Sequence, residues 1–208
     1  MAGFLKYGLF AVRLFTAVIL AAVLSPQPDA PGANAAAFAS LLSSLRGPTV
    51  LMVWKSGYVV TLYKGSIPIK TYRAVFGKGY ADGDKEQMGD RRTPEGDFYI
   101  CSMNPSRRFH KFLGLSYPDL RHAESGLRKG IISVREYAEI RKAIGERRQP
   151  PWETKLGGAV GIHGRTIEDP AAQPERRNWT DGCIALANAD VDELFGVVGI
   201  GTQVTIVP

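Results

Sequence analysis

The chain opens on an almost unbroken apolar run over residues 14–24, preceded by Lys6 and Arg13 and followed by Ser25-Pro26. About eleven apolar residues are short for a membrane span and suit the apolar core of an export signal. Ala33-Asn34-Ala35 supplies an Ala-x-Ala cleavage pattern, and the Pro, Ala, Gly and Asn of residues 26–35 read as a linker. The alternative is an uncleaved anchor starting near Tyr7, with Arg13 inside the span. Residues 1–35 are therefore expected to lie outside the fold as signal or anchor plus linker, with residues 36–48 as a tether or short helix and residues 49–208 as the working domain.

Beyond that point the pattern turns strand-like. Residues 49–54 and 58–63 are rich in Val, Leu, Thr and aromatics and flank Lys55-Ser56-Gly57, which predicts a hairpin. Residues 67–76 form a third strand candidate after the Lys64-Gly65-Ser66 turn. Residues 77–93 are glycine-rich and charged and read as loop, after which Pro94-Glu95-Gly96 turns into a strand over 97–101. A different period then appears. Ser133 and Glu136 have the spacing of a capping box, and Val134, Tyr137, Ile140, Ala143 and Ile144 follow at helical intervals, stopping before Pro150-Pro151. Strands return over 158–163 and 202–207, separated by a short helix with Val191, Leu194 and Phe195 inward and Asn188 as its cap. No segment repeats. The sum is a mostly β domain with a few helices, arranged as a sandwich or partly closed barrel.

Composition narrows the class. The chain has 208 residues, 45% hydrophobic and 22% charged, enough for one domain with a substantial core. The net charge of +6 comes from dispersed pairs such as Arg107-Arg108, Arg141-Lys142, Arg147-Arg148 and Arg176-Arg177. No zinc finger, basic zipper or aromatic RNA-binding pattern accompanies them, so no nucleic-acid partner is expected. Two cysteines, Cys101 and Cys183, cannot make a disulfide scaffold, although one Cys101–Cys183 bridge is formally open to an exported protein. Cys101 sits in a strand-like run and reads as a small buried hydrophobe.

Chemistry concentrates between His163 and Cys183. Each stands beside a glycine at one end of a polar loop, with an apolar segment behind it. A thiol attacks only as its thiolate, and a histidine within reach can take that proton and return it to a leaving amine. Gly182 permits a tight turn, so that the amides of Gly182 and Cys183 can face a developing oxyanion. Asp181 opposes the thiolate unless its carboxylate points away. Against this stands the bland alternative of a structural histidine and an inert buried cysteine. The paired ligands of a zinc site are missing, so no metal site is expected.

Gly161-Ile162-His163-Gly164, followed by Thr180-Asp181-Gly182-Cys183-Ile184, resembles the signature of the L,D-transpeptidase (YkuD-type) family; 16 residues separate His163 from Thr180. Upstream, Gly89-Asp90-Arg91-Arg92-Thr93-Pro94-Glu95-Gly96 is similar to the family's Gly-Asp…Thr-Pro-x-Gly block, and Phe109-His110 with Leu115-Ser116-Tyr117-Pro118 to its cleft segment. The resemblance implies a mostly β catalytic domain working on peptidoglycan stem peptides in the periplasm or cell envelope. It implies Cys183 as nucleophile, His163 as general acid/base and Gly182 as an oxyanion-hole amide, with Thr180, Gly164, His110 and Tyr117 in the substrate cleft and no cofactor. The acceptor is a second stem peptide or the lysine of a wall-linked lipoprotein. One position departs from the pattern: many members carry Arg two residues after the cysteine, where this chain has Ala185. That resembles the YafK-like branch and leaves a hydrolase, releasing D-Ala or a lipoprotein lysine, as the alternative outcome, beside a non-catalytic wall-binding module. Residues 114–151, with their helical middle, are expected either to cover the cleft or to pack on the sheet.

Overall fold

A computed structural model describes residues 31–164 and 178–208. Residues 14–24, the expected signal core, and Arg176-Arg177 lie outside the described residues.

Eight strands form one sheet: β1 (Thr49–Trp54), β2 (Val59–Lys64), β3 (Ile67–Arg73), β4 (Gly96–Ser106), β5 (His110–Leu115), β6 (Gly161–His163), β7 (Ile184–Ala185) and β8 (Gln203–Val207). Their order is β3-β2-β1-β8-β4-β5-β6-β7. Neighbours run antiparallel except at β1–β8 and β6–β7. Val75, just past β3, forms a bridge with Ala185 in β7, so the two ends of the sheet meet and the sheet curls into a partly closed barrel.

Period-2 patterning fills its interior. Leu51 and Val53 of β1 and Val204 and Ile206 of β8 are buried and in register, while Trp54 is exposed. Val60, Leu62, Phe98, Ile100, Leu113, Ile162 and Ile184 complete the core. The predicted hairpin is present, with Thr49 opposite Lys64 and Trp54 opposite Val59. Two strands had no signal of their own in the pattern: β5, and β7, which is two residues long.

Among the described residues four α-helices pack around the sheet: α1 (Pro31–Ser44), α2 (Leu120–Arg128), α3 (Val134–Gly145) and α4 (Asn188–Val197). α1 begins inside the expected linker. Pro31 suits a first helical position, where a missing N–H costs nothing, and α1 docks through Leu42 and Phe38 on the core. In α4 the cap is Ala187, so Asn188 is the first helical residue rather than the cap. The α3 capping box is as predicted: the Glu136 N–H donates to Ser133 Oγ and the Ser133 N–H to Glu136 Oε2. α2 was not predicted, because its buried residues are His122, Ala123 and Gly126 rather than an apolar stripe. α2 and α3 share a small core of Ala123, Ile132, Ile140 and Leu156. Among the described residues no helix is long and apolar enough to cross a membrane.

Candidate active site

β6 and β7 place the site. Ile162 pairs with Ile184 and His163 with Ala185, and extending this register by one residue sets Gly161 beside Cys183. Ile162 and Ile184 point into the core, so alternation turns His163 and Cys183 to the other face together. Gly161 is required here, since a Cβ would lie 2.5 Å from the Leu113 carbonyl. Its backbone amide favours the Cys183 thiolate. Sγ in turn donates to the Ala159 carbonyl at 3.6 Å. Ala159 holds φ 50, the left-handed region that non-glycine residues avoid, and such strain clusters at functional sites.

His163 is buried and fixed in one tautomer. Its Nδ1 lies 2.7 Å from the Gly164 carbonyl, which can only accept, so Nδ1 carries the proton and Nε2 keeps its lone pair. The ring packs against Phe109 at 4.3 Å and the edge of Trp179 at 5.7 Å. Burial pulls its pKa below the ordinary histidine value; the Gly164 hydrogen bond opposes that and Arg108 adds to it. Burial pushes the Cys183 thiol up to about 11, against the Gly161 amide and Lys85, with a minor upward push from Asp181. Asp181 is itself exposed, its carboxylate 3.8 Å from Arg91. At neutral pH the pair is therefore a neutral thiol and a neutral imidazole.

The turn before Cys183 is braced from below. Thr180 Oγ1 donates to the Cys183 carbonyl at 2.7 Å and accepts the Gly182 N–H at 3.2 Å. The Gly182 amide, expected to face an oxyanion, is engaged inside the turn by Thr180 Oγ1. Gly182 holds φ +134, and a Cβ there would meet the Arg92 carbonyl at 2.8 Å. The loop over residues 77–93 thus runs backbone against backbone with the turn, and Thr93 Oγ1 accepts the Gly77 N–H at 3.0 Å. Asp90 organises that loop by accepting from the amides of Glu86, Gln87 and Arg92 and from Lys85 Nζ.

A cleft of about 590 Å³ opens over Cys183, walled by Lys85, Met88, Trp152, Gly158 and Ala159, with Arg91, Glu153 and Asp181 supplying charge. No lining residue belongs to α2 or α3. Those helices instead hold the wall from behind: Leu156 sits against Gly126, and Trp152 packs under Gly158 and edge-on to Phe112. Of the residues expected in the cleft, Thr180 is buried beneath the turn. Gly164 contributes its carbonyl, and a Cβ there would lie 2.5 Å from Asn188 Oδ1. His110 is paired with Asp192 of α4 at 2.8 Å, away from the cleft lining. Tyr117 is fully buried, its hydroxyl donating to the Leu156 carbonyl at 3.1 Å. Ala185 is completely buried between His163 and Val75. Cys101 and Cys183 are both free thiols, and burial pushes Cys101 to about 12. Among the described residues no His, Cys, Asp and Glu cluster is placed to hold a metal ion. The sequence motifs did not mark Lys85, one of two lysines in a polar loop.

The family model of the L,D-transpeptidase catalytic domain (YkuD) matches residues 48–206. The chain belongs to that family. Among solved structures it is similar to an L,D-transpeptidase from Xylanimonas cellulosilytica, with 14% identity and a TM-score of 0.45 over 79% of this chain and 62% of that one. It is similar also to the helical cell shape determining protein of Campylobacter jejuni, with 16% identity and a TM-score of 0.49 over 86% and 56%. For an L,D-transpeptidase from Enterococcus faecium the figures are 15% identity and a TM-score of 0.46 over 78% and 50%. The chain thus spans about half to three-fifths of the length of these structures. No curated protein sequence matches it.

Proposed function

We propose that the protein is an exported cysteine acyl-transferase acting on peptidoglycan stem peptides, with residues 49–208 as its catalytic domain and residues 1–35 as signal or anchor plus linker. One observation carries the reading. Cys183 lines the cleft, strand register puts buried His163 on the same sheet face, and the Gly164 carbonyl leaves His163 Nε2 free to accept a proton. Sγ attacks the carbonyl of the diaminopimelate residue that precedes the terminal D-Ala, and its proton passes to Nε2. The Cys183 amide faces the oxyanion. The C–N bond then breaks, His163 returns the proton to the departing amine, and a thioester remains. An acceptor amine from a second stem peptide or a lipoprotein lysine resolves it by transfer.

Ala185 supports a second outcome, in which water resolves the thioester and the enzyme releases D-Ala or a lipoprotein lysine, as in the YafK-like branch. A buried alanine supplies no bidentate hold on a substrate carboxylate. Purified protein with muropeptides, read by mass spectrometry, separates the two: D-Ala leaves on acylation in either case, so crosslinked dimers mark transfer, and uncrosslinked stem peptides ending in a free diaminopimelate carboxylate mark hydrolysis. Turnover that survives Cys183→Ala sinks both.

A further inference from the structure

The cleft contains a cation that the cysteine–histidine chemistry leaves unused. Lys85 is 4% exposed, yet its side chain borders the cleft. Its ammonium donates to the Gln87 carbonyl at 3.0 Å and to Asp90 Oδ1 at 2.6 Å, and it lies 5.9 Å above the Tyr117 ring. An ammonium has three hydrogens, so one has no protein acceptor among the described residues. These contacts hold Nζ close under the turn: a Cβ built on Gly182 would stand 3.9 Å from it. Loop bracing alone does not account for a buried lysine here, because Asp90 already binds the amides of Glu86, Gln87 and Arg92. Burying an ammonium is costly unless its charge is used.

The turn, for its part, lacks a donor. The Gly182 amide is committed to Thr180 Oγ1, so it is not available to the negative charge that forms first on Sγ and then on the attacked carbonyl oxygen. We propose that Lys85 supplies the missing positive charge, its third N–H directed at the cleft to support the Cys183 thiolate and then the oxyanion. Lys85 exchanges no proton and forms no bond; it lowers the energy of charge that appears only during reaction. The electrostatics agree in sign, since Lys85 pulls the Cys183 thiol down against its burial. The inference rests on Cys183 as nucleophile, but its main test needs no substrate.

The test is the rate of Cys183 alkylation by iodoacetamide between pH 7.5 and 9, followed peptide by peptide with Cys101 as internal reference. Lys85→Met is expected to slow alkylation about tenfold at every pH, the effect of one partly screened charge near the sulfur. Asp90→Asn is expected to act in the opposite direction, because it leaves the ammonium unopposed. If Lys85 only pins the loop, breaking the pair from either end gives the same change. Unchanged alkylation in folded Lys85→Met, or a fall in Asp90→Asn, overturns the proposal. If Lys85→Met does not fold, Asp90→Asn still decides by its sign, and Lys85→Arg is expected to keep the wild-type rate. On muropeptides, Lys85→Met is expected to lower kcat with KM little changed. A failure of the acyl-transfer reading shows separately, as turnover that persists in Cys183→Ala.

Discussion

At the scale of single residues, the site pairs two neutral groups. Burial raises Cys183 to about 11 and lowers His163 below its ordinary value. A lowered histidine is neutral down to lower pH than usual, so in the proposed mechanism it can still accept a proton on the acid side of neutrality. The kcat/KM profile is therefore expected to fall only below about pH 6.5. A preformed thiolate–imidazolium pair would instead give rapid iodoacetamide labelling of Cys183 near pH 6, and that result contradicts the assignment. His163→Ala is expected to lose about 10²- to 10⁴-fold in kcat, measured on muropeptides. Gly182 makes a second case. Its φ of +134 and the 2.8 Å approach of the Arg92 carbonyl leave no room for a side chain. Gly182→Ala is expected to cost about 1–3 kcal/mol in urea denaturation and to abolish turnover by displacing Cys183. Wild-type stability in this variant contradicts the tight turn.

At the scale of elements, the cleft wall depends on helices that never reach the cleft. Leu156 is buried in the α2–α3 core and joins it to the segment carrying Trp152 and Gly158. Leu156→Ala is expected to destabilise by about 2–5 kcal/mol, and hydrogen exchange is expected to rise first over residues 150–160 while β1, β2 and β8 stay protected. Uniform loss of protection contradicts a separable wall. The same elements show what a sequence pattern carries. The β1–β2 hairpin and α3 were legible because each has its own signal, an alternating strand pair around Lys55-Ser56-Gly57 and a Ser133–Glu136 capping box. α2 was not legible, because it buries a histidine, an alanine and a glycine. β7 was not, because two residues set no period. The cysteine and histidine could be singled out by rarity and flanking glycines. Lys85 could not, because its meaning comes from Asp90 and from the Gly182 turn almost a hundred residues away. His110 and Tyr117 drew notice through resemblance to the family's cleft segment, yet one is tied to α4 and the other lies beneath the cleft.

At the scale of the whole molecule, the curled sheet, the loop over residues 77–93 and the α2–α3 unit meet at one charge cluster around buried His122. His122 Nδ1 lies 2.6 Å from Asp119 and its Nε2 3.1 Å from Asp84, while Arg121 bonds the other Asp84 oxygen at 2.7 Å. Two carboxylates on the two ring nitrogens favour the doubly protonated ring. Burial lowers the His122 pKa and the Arg121 guanidinium at 3.5 Å works the same way, but the bonds to Asp119 and Asp84 outweigh them and the net shift is upward. For Asp84, burial raises and the His122, Glu95 and Arg121 contacts lower, with a net shift well below the usual carboxylate range. The signs then fix the window. A histidine raised on folding contributes stability below about pH 6.5 that is lost as pH climbs through its folded value. A carboxylate lowered on folding contributes above about pH 3.9 and loses that contribution as pH falls. The melting temperature is expected to be highest between roughly pH 4 and 6.5 and to decline on both sides. In His122→Gln the alkaline decline is expected to flatten, with about 2 kcal/mol lost near pH 5.5. An alkaline decline of unchanged size in that variant would assign it to other groups and leave His122 as packing against Tyr117, whose ring stands 4.8 Å away.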